Sequence, residues 1–373
     1  MKVENLVIGA GISGITVAHK IATELNQKVL LIDSKNHIGG NCFDYYNKAG
    51  ICVHQYGTHI FHTNDKQVWD FLSQFTKWYP YIHKVKALID GQETPIPFNL
   101  TSIRQHFPPA TADRLEKKLM EKFGYNVKVP ILELRKTDDE DLTFLADFVY
   151  EKVFLHYTLK QWGMRPEDLD PSVTGRVPVY VSKDDSYFQD TYQAIPMQGY
   201  TKMFEKMLKH PNIKLKLNTK FQDIKNKITY DRLFVTSPID QFFDYEFSKL
   251  PYRSLKFDFV TLDMPHFQSN SVINYPNNYD YTRIGEYKYF LNDQSKKTTI
   301  SFEYPVPYKE GENEPYYPII KEENQALYNK YLSKAKTLKN TYFLGRLGDY
   351  KYYDMDKAVK RALEVFQGIK DVA

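Results

Sequence analysis

A chain of 373 residues is longer than one ordinary core supports, so two or three structural domains are expected. Charged residues make up 26% and hydrophobic ones 42%, and the formal net charge is only +4 with Lys and Arg spread along the chain, a globular balance that argues against a nucleic-acid partner. No apolar run reaches the length of a membrane span, and the two cysteines, Cys42 and Cys52, lack metal-ligand spacing and suit a reducing cytoplasm.

The N-terminus reads as a buried strand, Val3 to Ile8, rather than as a cleaved signal peptide. It runs into Gly9-Ala10-Gly11-Ile12-Ser13-Gly14, then a helix, then a strand from Val29 to Ile32 that ends at Asp33. This is G-x-G-x-x-G in the context that gives it meaning. Gly9 allows the tight turn, Gly11 lets the backbone approach a pyrophosphate, and Gly14 permits close helix–strand packing. The anion sits on the helix N-terminus, and Asp33 is placed to accept from a ribose. Asp33 is followed by five residues and then Gly39-Gly40. That extension resembles FAD-binding flavoproteins of the glutathione reductase and amine oxidase type, in which a second turn meets the diphosphate and flavin; otherwise it is a plain Gly-Gly loop.

Val53, Tyr56 and Gly57 read as a strand and turn, followed by Thr58-His59-Ile60-Phe61-His62. His59 and His62 are three apart, but no third ligand is spaced to join them in a metal site, which leaves structural histidines or a place beside a cofactor ring. Lys66 to Phe75 has helical spacing. Tyr81 to Ile89 and Thr94 to Asn99 read as strands about a turn at Asp90-Gly91. Helical spacing then covers 101–107, 110–123, 143–157 and 157–162. The sequence 190–208 resumes the first domain with a helix from Thr201 to Leu208, and strands follow at 213–217, 227–230 and 233–238. Lys256 to Leu262, Ser271 to Tyr275 and Thr299 to Tyr304 read as an antiparallel sheet. Tyr342 to Asp349 is a strand entering a glycine turn, and Asp356 to Phe366 is a terminal helix. No second G-x-G-x-x-G is present, so no separate nicotinamide domain is evident. The 30 tyrosines are well suited to a site for a polyhydroxylated ligand.

Nearly end to end, the chain resembles the UDP-galactopyranose mutases of bacterial type. The motifs are GAGISG at 9–14, HIGGN at 37–41, YGTHIFHTN at 56–64, YTLKQWGM at 157–164, Arg176 with SYFQDTYQAIPMQGYT at 186–201, YTRIGEY at 281–287, PYYPI at 315–319 and GRLGDYKYYDMD at 345–356. Thr58 replaces a usual proline and Asp33 a common glutamate. The resemblance implies an α/β fold: a discontinuous Rossmann-like FAD-binding domain (1–80, 188–240 and 318–373), an inserted helical domain with a substrate loop (100–175), and an antiparallel β-sheet substrate domain (81–99, 176–187 and 241–317).

It implies interconversion of UDP-galactopyranose and UDP-galactofuranose without net oxidation. Reduced FAD, through N5, attacks the anomeric carbon and expels UDP; a flavin–sugar iminium lets the ring contract before UDP returns. By the same resemblance Arg176 and Arg283, with Arg253, hold the diphosphate, Phe154 and Tyr157 receive the uracil, and Tyr187, Tyr317 and Tyr352 surround diphosphate and sugar. Thr158 and Asn274 join the substrate site. Trp162 lies in a mobile loop hinged at Gly163. His62 stands beside the flavin and is catalytic with Arg176 and Arg283, and His59, Ile60, Ser13, Ser34, Gly40, Asn41, Arg346, Tyr352, Asp354 and Met355 line the cofactor with Gly9, Gly11, Gly14 and Asp33. Tyr316 competes with Tyr317 for its place. Cytoplasmic localisation, a homodimer, an electron donor of unknown identity and a role in cell-surface polysaccharide synthesis are also implied. Two other readings stand beside it: a flavin-dependent oxidase or dehydrogenase of the amine oxidase type, and a catalytically silent FAD-containing scaffold.

Overall fold

The computed structural model describes residues 2–170, 175 and 178–371. The chain divides into two compact units, Met1–Tyr81 with Asp190–Ser254 and Tyr308–Ala373, and Ile82–Gln189 with Leu255–Pro307.

The first unit is built on a five-stranded sheet in the order Ile213–Lys216, Val29–Ile32, Lys2–Ile8, Thr229–Val235, Thr341–Phe343. All four ladders are parallel. Leu6, Val7, Leu31 and Ile32 are almost wholly buried, as strands covered on both faces require. On one face the helices Ile12–Glu24, Tyr200–Leu208 and Met355–Lys370 interlock through Ile15, Ile21, Met203, Met207, Val359 and Phe366. On the other, Tyr328 and Tyr331 of the helix Glu322–Ala335 pack with Phe221, Leu250 and Tyr350.

Two sequence expectations change here. The segments 227–230 and 233–238 are parts of one strand, Thr229–Val235, whose polar Asp231 and Arg232 interrupt the apolar pattern. Tyr342–Asp349 is a short strand, Thr341–Phe343, followed by a helical turn, Gly345–Gly348. The helix Glu322–Ala335 was not anticipated. A small antiparallel sheet of Phe61–Thr63, Tyr192–Pro196 and Trp78–Pro80 carries His62. Trp69 is stacked between Trp78 and Tyr192, with centroids 4.7 Å from each.

The second unit contains the helices Leu100–His106, Pro109–Phe123, Glu140–Val149 and His156–Trp162. The last two are joined by a π-helical segment, Tyr150–Leu155, so the helical spacing read over 143–162 covers one continuous but irregular rod. Asn99 and Ser102 form a capping box at the start of the first helix, and Asp139 caps Glu140–Val149 by accepting from Asp141 and Leu142. Sheet strands in this unit follow the order Tyr252–Leu262 (entering at residue 255), Thr298–Pro307, Arg283–Glu286, Val272–Asn274, Val85–Ile89, Gln92–Ile96. The sheet is mixed, because Val272–Asn274 runs parallel to Val85–Ile89 while the ladders on either side of that pair are antiparallel. Asp90 and Gly91 both adopt positive φ in the two-residue turn. Helical segment and sheet strands thus share one unit, and residues 241–254 and 308–317 go with the first.

Candidate active site

In the first unit, the glycine motif is the end of the strand Lys2–Ile8 turning into the helix Ile12–Glu24. A Cβ on Gly14 would lie 1.9 Å from the carbonyl oxygen of Gly9, and one on Gly9, at φ +99°, would lie 2.1 Å from Thr236 Oγ1. Gly11 differs: its Cβ would meet nothing nearer than Gly40 Cα at 3.8 Å. The second glycine turn packs on the first. Gly39 N–H donates to the Ala10 carbonyl at 2.7 Å, and Gly11 and Gly39 form an isolated parallel bridge.

Asp33 ties the first glycine turn to the end of the second strand. One carboxylate oxygen accepts from Ala10 N–H at 2.6 Å and the other from Lys35 N–H at 2.8 Å. No side chain caps the N-terminus of the helix Ile12–Glu24. These turns open onto a cavity of about 620 Å³, in the size range of small-molecule sites. Glycine backbone, an uncapped helix N-terminus and an acid at the end of the second strand together fit a dinucleotide.

Of the expected cofactor residues, Gly9, Gly11, Ser13, Asp33, Ser34, Gly40, Asn41, His59, Arg346, Asp354 and Met355 line this cavity, and Gly14, Ile60 and Tyr352 do not. Gly14 is a packing glycine, and Ile60 is buried. The Ser13 hydroxyl donates to the Ala358 carbonyl at 3.3 Å, tying the cradle to the terminal helix. His59 reaches the cavity edge, yet burial, with the neighbouring His54, pushes its pKa down to about 3, so the ring is neutral. His54 is fully buried, likewise pushed to about 3, and accepts from His59 N–H at 3.0 Å.

Beside the cavity, Arg346 donates to the carbonyls of Tyr316 at 3.1 Å and Tyr353 at 2.6 Å. Its guanidinium lies 5.3 Å and 5.4 Å from the rings of Tyr317 and Tyr352. Those rings stack at 5.0 Å and 10°. Tyr317 is the strand partner of Arg253, whereas Tyr316 is buried. Tyr317 thus gives this cluster its stacked ring, and Tyr316 gives it a carbonyl. Burial lowers the Arg253 pKa. His62 Nδ1 is 3.0 Å from Asp190 Oδ2, which orients its ring.

In the second unit, Asn274, Arg283 and Glu303 are successive partners across three strands. Arg283 Nη2 donates to the Tyr157 hydroxyl at 2.7 Å, and its Nε lies 3.6 Å from Glu303 Oε1. Glu303 is buried; desolvation raises its pKa, and the Arg283 charge opposes that rise. Phe154 sits buried in the π-helical segment, a feature frequent at functional sites. Thr158 is buried on the following helix. Trp162 is the last residue of that helix, not part of a loop as expected, because Gly163 at φ +71° caps it by donating to the Leu159 carbonyl at 2.8 Å. Tyr187 donates its backbone N–H to the His83 carbonyl at 2.8 Å and packs edge-on against Phe188. Arg176 lies outside the described residues.

Sequence reasoning missed several groups. Thr236 abuts Gly9, and Thr219 lines the cavity. Lys35 pairs with Glu314 at 3.1 Å and stands 4.2 Å over the Tyr56 ring. Buried Asp44 accepts from Tyr200 and Thr201 N–H at 2.5 and 2.8 Å, capping the helix Tyr200–Leu208. Gly199 was the available signal, since a Cβ there would lie 2.6 Å from Asp44 Oδ2. Cys42 and Cys52 are free and buried. Burial raises both thiols, and Asp44 raises Cys52 further.

The cradle and parallel sheet define a Rossmann-type dinucleotide-binding protein, and residues 7–75 match the NAD(P)-binding Rossmann-like domain. Residues 152–352 match the UDP-galactopyranose mutase family model, and the chain belongs to that family of isomerases. It is 38% identical to a dTDP-fucopyranose mutase of Escherichia coli, covering 97% of each chain. It is 37% identical to a probable UDP-galactopyranose mutase of Klebsiella pneumoniae, over 96% of this chain and 92% of that one. A crystal structure of reduced UDP-galactopyranose mutase shares the fold at a TM-score of 0.75 and 17% identity, covering 99% and 96% of the two chains. No helix among the described residues is long and apolar enough to cross a membrane.

Proposed function

We propose that this enzyme interconverts UDP-galactopyranose and UDP-galactofuranose on a bound FAD that must be reduced. The observation that carries the reading is Arg283. It lies inside the segment matched by the mutase family, with its guanidinium oriented by Tyr157 and Glu303. A partly buried planar cation held by two neighbours suits a diphosphate, whose oxygens it binds in pairs without losing charge.

FAD, when bound and reduced, supplies an electron-rich N5 that can attack the anomeric carbon and later release the sugar. The chain's own groups do the rest. Gly11, Gly40 and the helix N-terminus would hold the cofactor diphosphate, and Asp33 keeps lone pairs for a ribose while its oxygens accept from Ala10 and Lys35 N–H. Neutral His59 offers a hydrogen-bonding edge without adding a cation. Arg346, fixed by two carbonyls, contributes positive charge beside the cavity. His62, its ring oriented by Asp190 at 3.0 Å from Nδ1, stands beside the flavin. Arg283, Arg253 and, by family pattern, Arg176 retain the UDP anion so that it can return. Phe154, Tyr157 and Thr158 receive the nucleobase, while Asn274, Tyr187, Tyr317 and Tyr352 position sugar and diphosphate hydroxyls and oxygens. Trp162 excludes water at the end of its helix.

The identity to a dTDP-fucopyranose mutase favours one second reading, a dTDP-6-deoxysugar as substrate. The test is turnover of UDP-galactofuranose and dTDP-fucofuranose by chemically reduced and by oxidised enzyme. UDP-galactopyranose from the reduced enzyme alone is expected. Equal turnover by the oxidised form removes the flavin-nucleophile mechanism, and a higher kcat/KM for the dTDP sugar moves the substrate to the second reading.

A further inference from the structure

The YTLKQWGM segment contains a charged residue to which the proposed chemistry gives no role. Lys160 lies on the helix His156–Trp162, one turn after Tyr157. Its ammonium donates to the carbonyls of Tyr275, Tyr279 and Tyr281, the last two at 3.0 Å. All three belong to the turn between the strands Val272–Asn274 and Arg283–Glu286. That turn is long. Its closing bond runs from Tyr275 N–H to the Thr282 carbonyl at 2.8 Å, and Asn278 within it adopts φ +62°.

An ammonium has three donors, and here three carbonyls of one turn receive them. The turn's rings pack on each other, Tyr275 on Tyr279 at 5.0 Å and on Tyr281 at 4.9 Å. A second tie comes from the π-helical segment, where the Lys152 carbonyl accepts from Asn277 Nδ2 at 2.9 Å. The turn ends at Arg283, which returns to the same helix through the Tyr157 hydroxyl. Without the ammonium, three carbonyls lose their common donor, and the turn is tied to the helical rod only through Asn277 and through Arg283. Arginine's planar fork matches this ring of carbonyls less well than a point charge does.

We propose that Lys160 is a positioning residue that fixes the 275–282 turn and thereby aims Arg283, held by the Tyr157 hydroxyl, at the nucleotide diphosphate. The inference rests on the nucleotide-sugar reading of this site. Full-length flavin-loaded enzyme is therefore assayed first as wild type, for turnover of UDP-galactofuranose and for UDP affinity by calorimetry. Lys160→Met is then compared with Lys160→Arg, Arg283→Ala and the Lys160→Met/Arg283→Ala pair.

The expected result is a rise of about tenfold in the KM and the UDP Kd of Lys160→Met, the scale of one lost charge-assisted hydrogen bond. Flavin content should be unchanged and kcat should fall less than KM rises. Lys160→Arg should recover part of the loss, and the double variant should bind UDP no worse than Arg283→Ala. Unchanged UDP affinity in Lys160→Met overturns the proposal, as does a double variant whose losses multiply. Should Lys160→Met fail to fold, Lys160→Gln, whose amide still donates to two carbonyls, carries the same comparison. A wild type that binds UDP but does not isomerise UDP-galactofuranose defeats the functional reading alone, and the UDP affinities still decide the role of Lys160.

Discussion

The two units present ligand-binding groups in opposite ways. The first binds with backbone. Its cavity is floored by Gly9, Gly11 and Gly40 and by an uncapped helix end, and Asp33 uses both carboxylate oxygens on main-chain N–H groups. The second unit's proposed site is made of side chains. Arg283, Tyr157 and Glu303 come from strands and a helix, and each is aimed by another side chain. A backbone site fails where an added Cβ would strike its neighbours, as at Gly9 and Gly14, whereas side-chain sites weaken step by step as individual hydrogen bonds and charges are removed. Substitutions should therefore be all-or-none in the first unit and graded in the second.

The largest effect expected is Gly14→Val. A Cβ there would lie 1.9 Å from the Gly9 carbonyl oxygen, and the helix would be forced off the strand at a cost of about 3 kcal/mol. The purified protein should be colourless and unstable, as read by flavin absorbance and thermal unfolding. Flavin retained at the wild-type ratio would break the contrast. Arg283→Ala comes next. It should keep its flavin and lose on the order of a hundredfold or more in kcat/KM, the scale of removing one charged donor from a preorganised site. Loss of flavin in that variant would show that the two binding modes are not separable.

A third, smaller effect is acid lability. His54 is buried, with its pKa depressed to about 3 from 6.5. Between those values the unfolded chain takes up a proton that the folded chain does not, so stability falls as pH drops through this window. The slope per ring is at most about 1.4 kcal/mol per pH unit. His54→Asn keeps an acceptor for the His59 N–H and removes the titration. Its stability between pH 6 and pH 4 should fall less steeply than wild type in denaturant titrations. Parallel slopes would show that His54 does not carry the effect.

The same contrast governs what could be read from sequence. Gly9, Gly11, Gly14, Gly39 and Gly40 are legible because the chemistry demands the absence of a side chain, and spacing alone expresses that demand. Arg283 and Tyr157 carry no such local rule; they were legible only through resemblance to a family. Lys160 was missed because its acceptors are main-chain carbonyls 115 to 121 residues away. The helix Glu322–Ala335 was missed because its buried positions, Tyr328, Tyr331 and Ala335, form only a narrow stripe on a strongly polar sequence. The π-helical segment that holds Phe154 breaks the 3.6-residue period without any residue that announces it.

The smallest effect lies at a place where the first unit behaves like the second. Tyr317 and Tyr352 stack at 5.0 Å with the Arg346 guanidinium near both rings. Tyr352 contributes a side chain there and does not line the cavity. Its substitution should therefore be graded despite its neighbours. Tyr352→Phe keeps the stack and the face offered to Arg346, so flavin affinity should stay within about twofold of wild type. Tyr352→Leu removes a pair worth about 0.5–1.5 kcal/mol, and should lower thermal stability slightly while leaving the flavin bound. An all-or-none loss of flavin in Tyr352→Leu would mean that this stack, and not the glycine turns alone, holds the cradle closed.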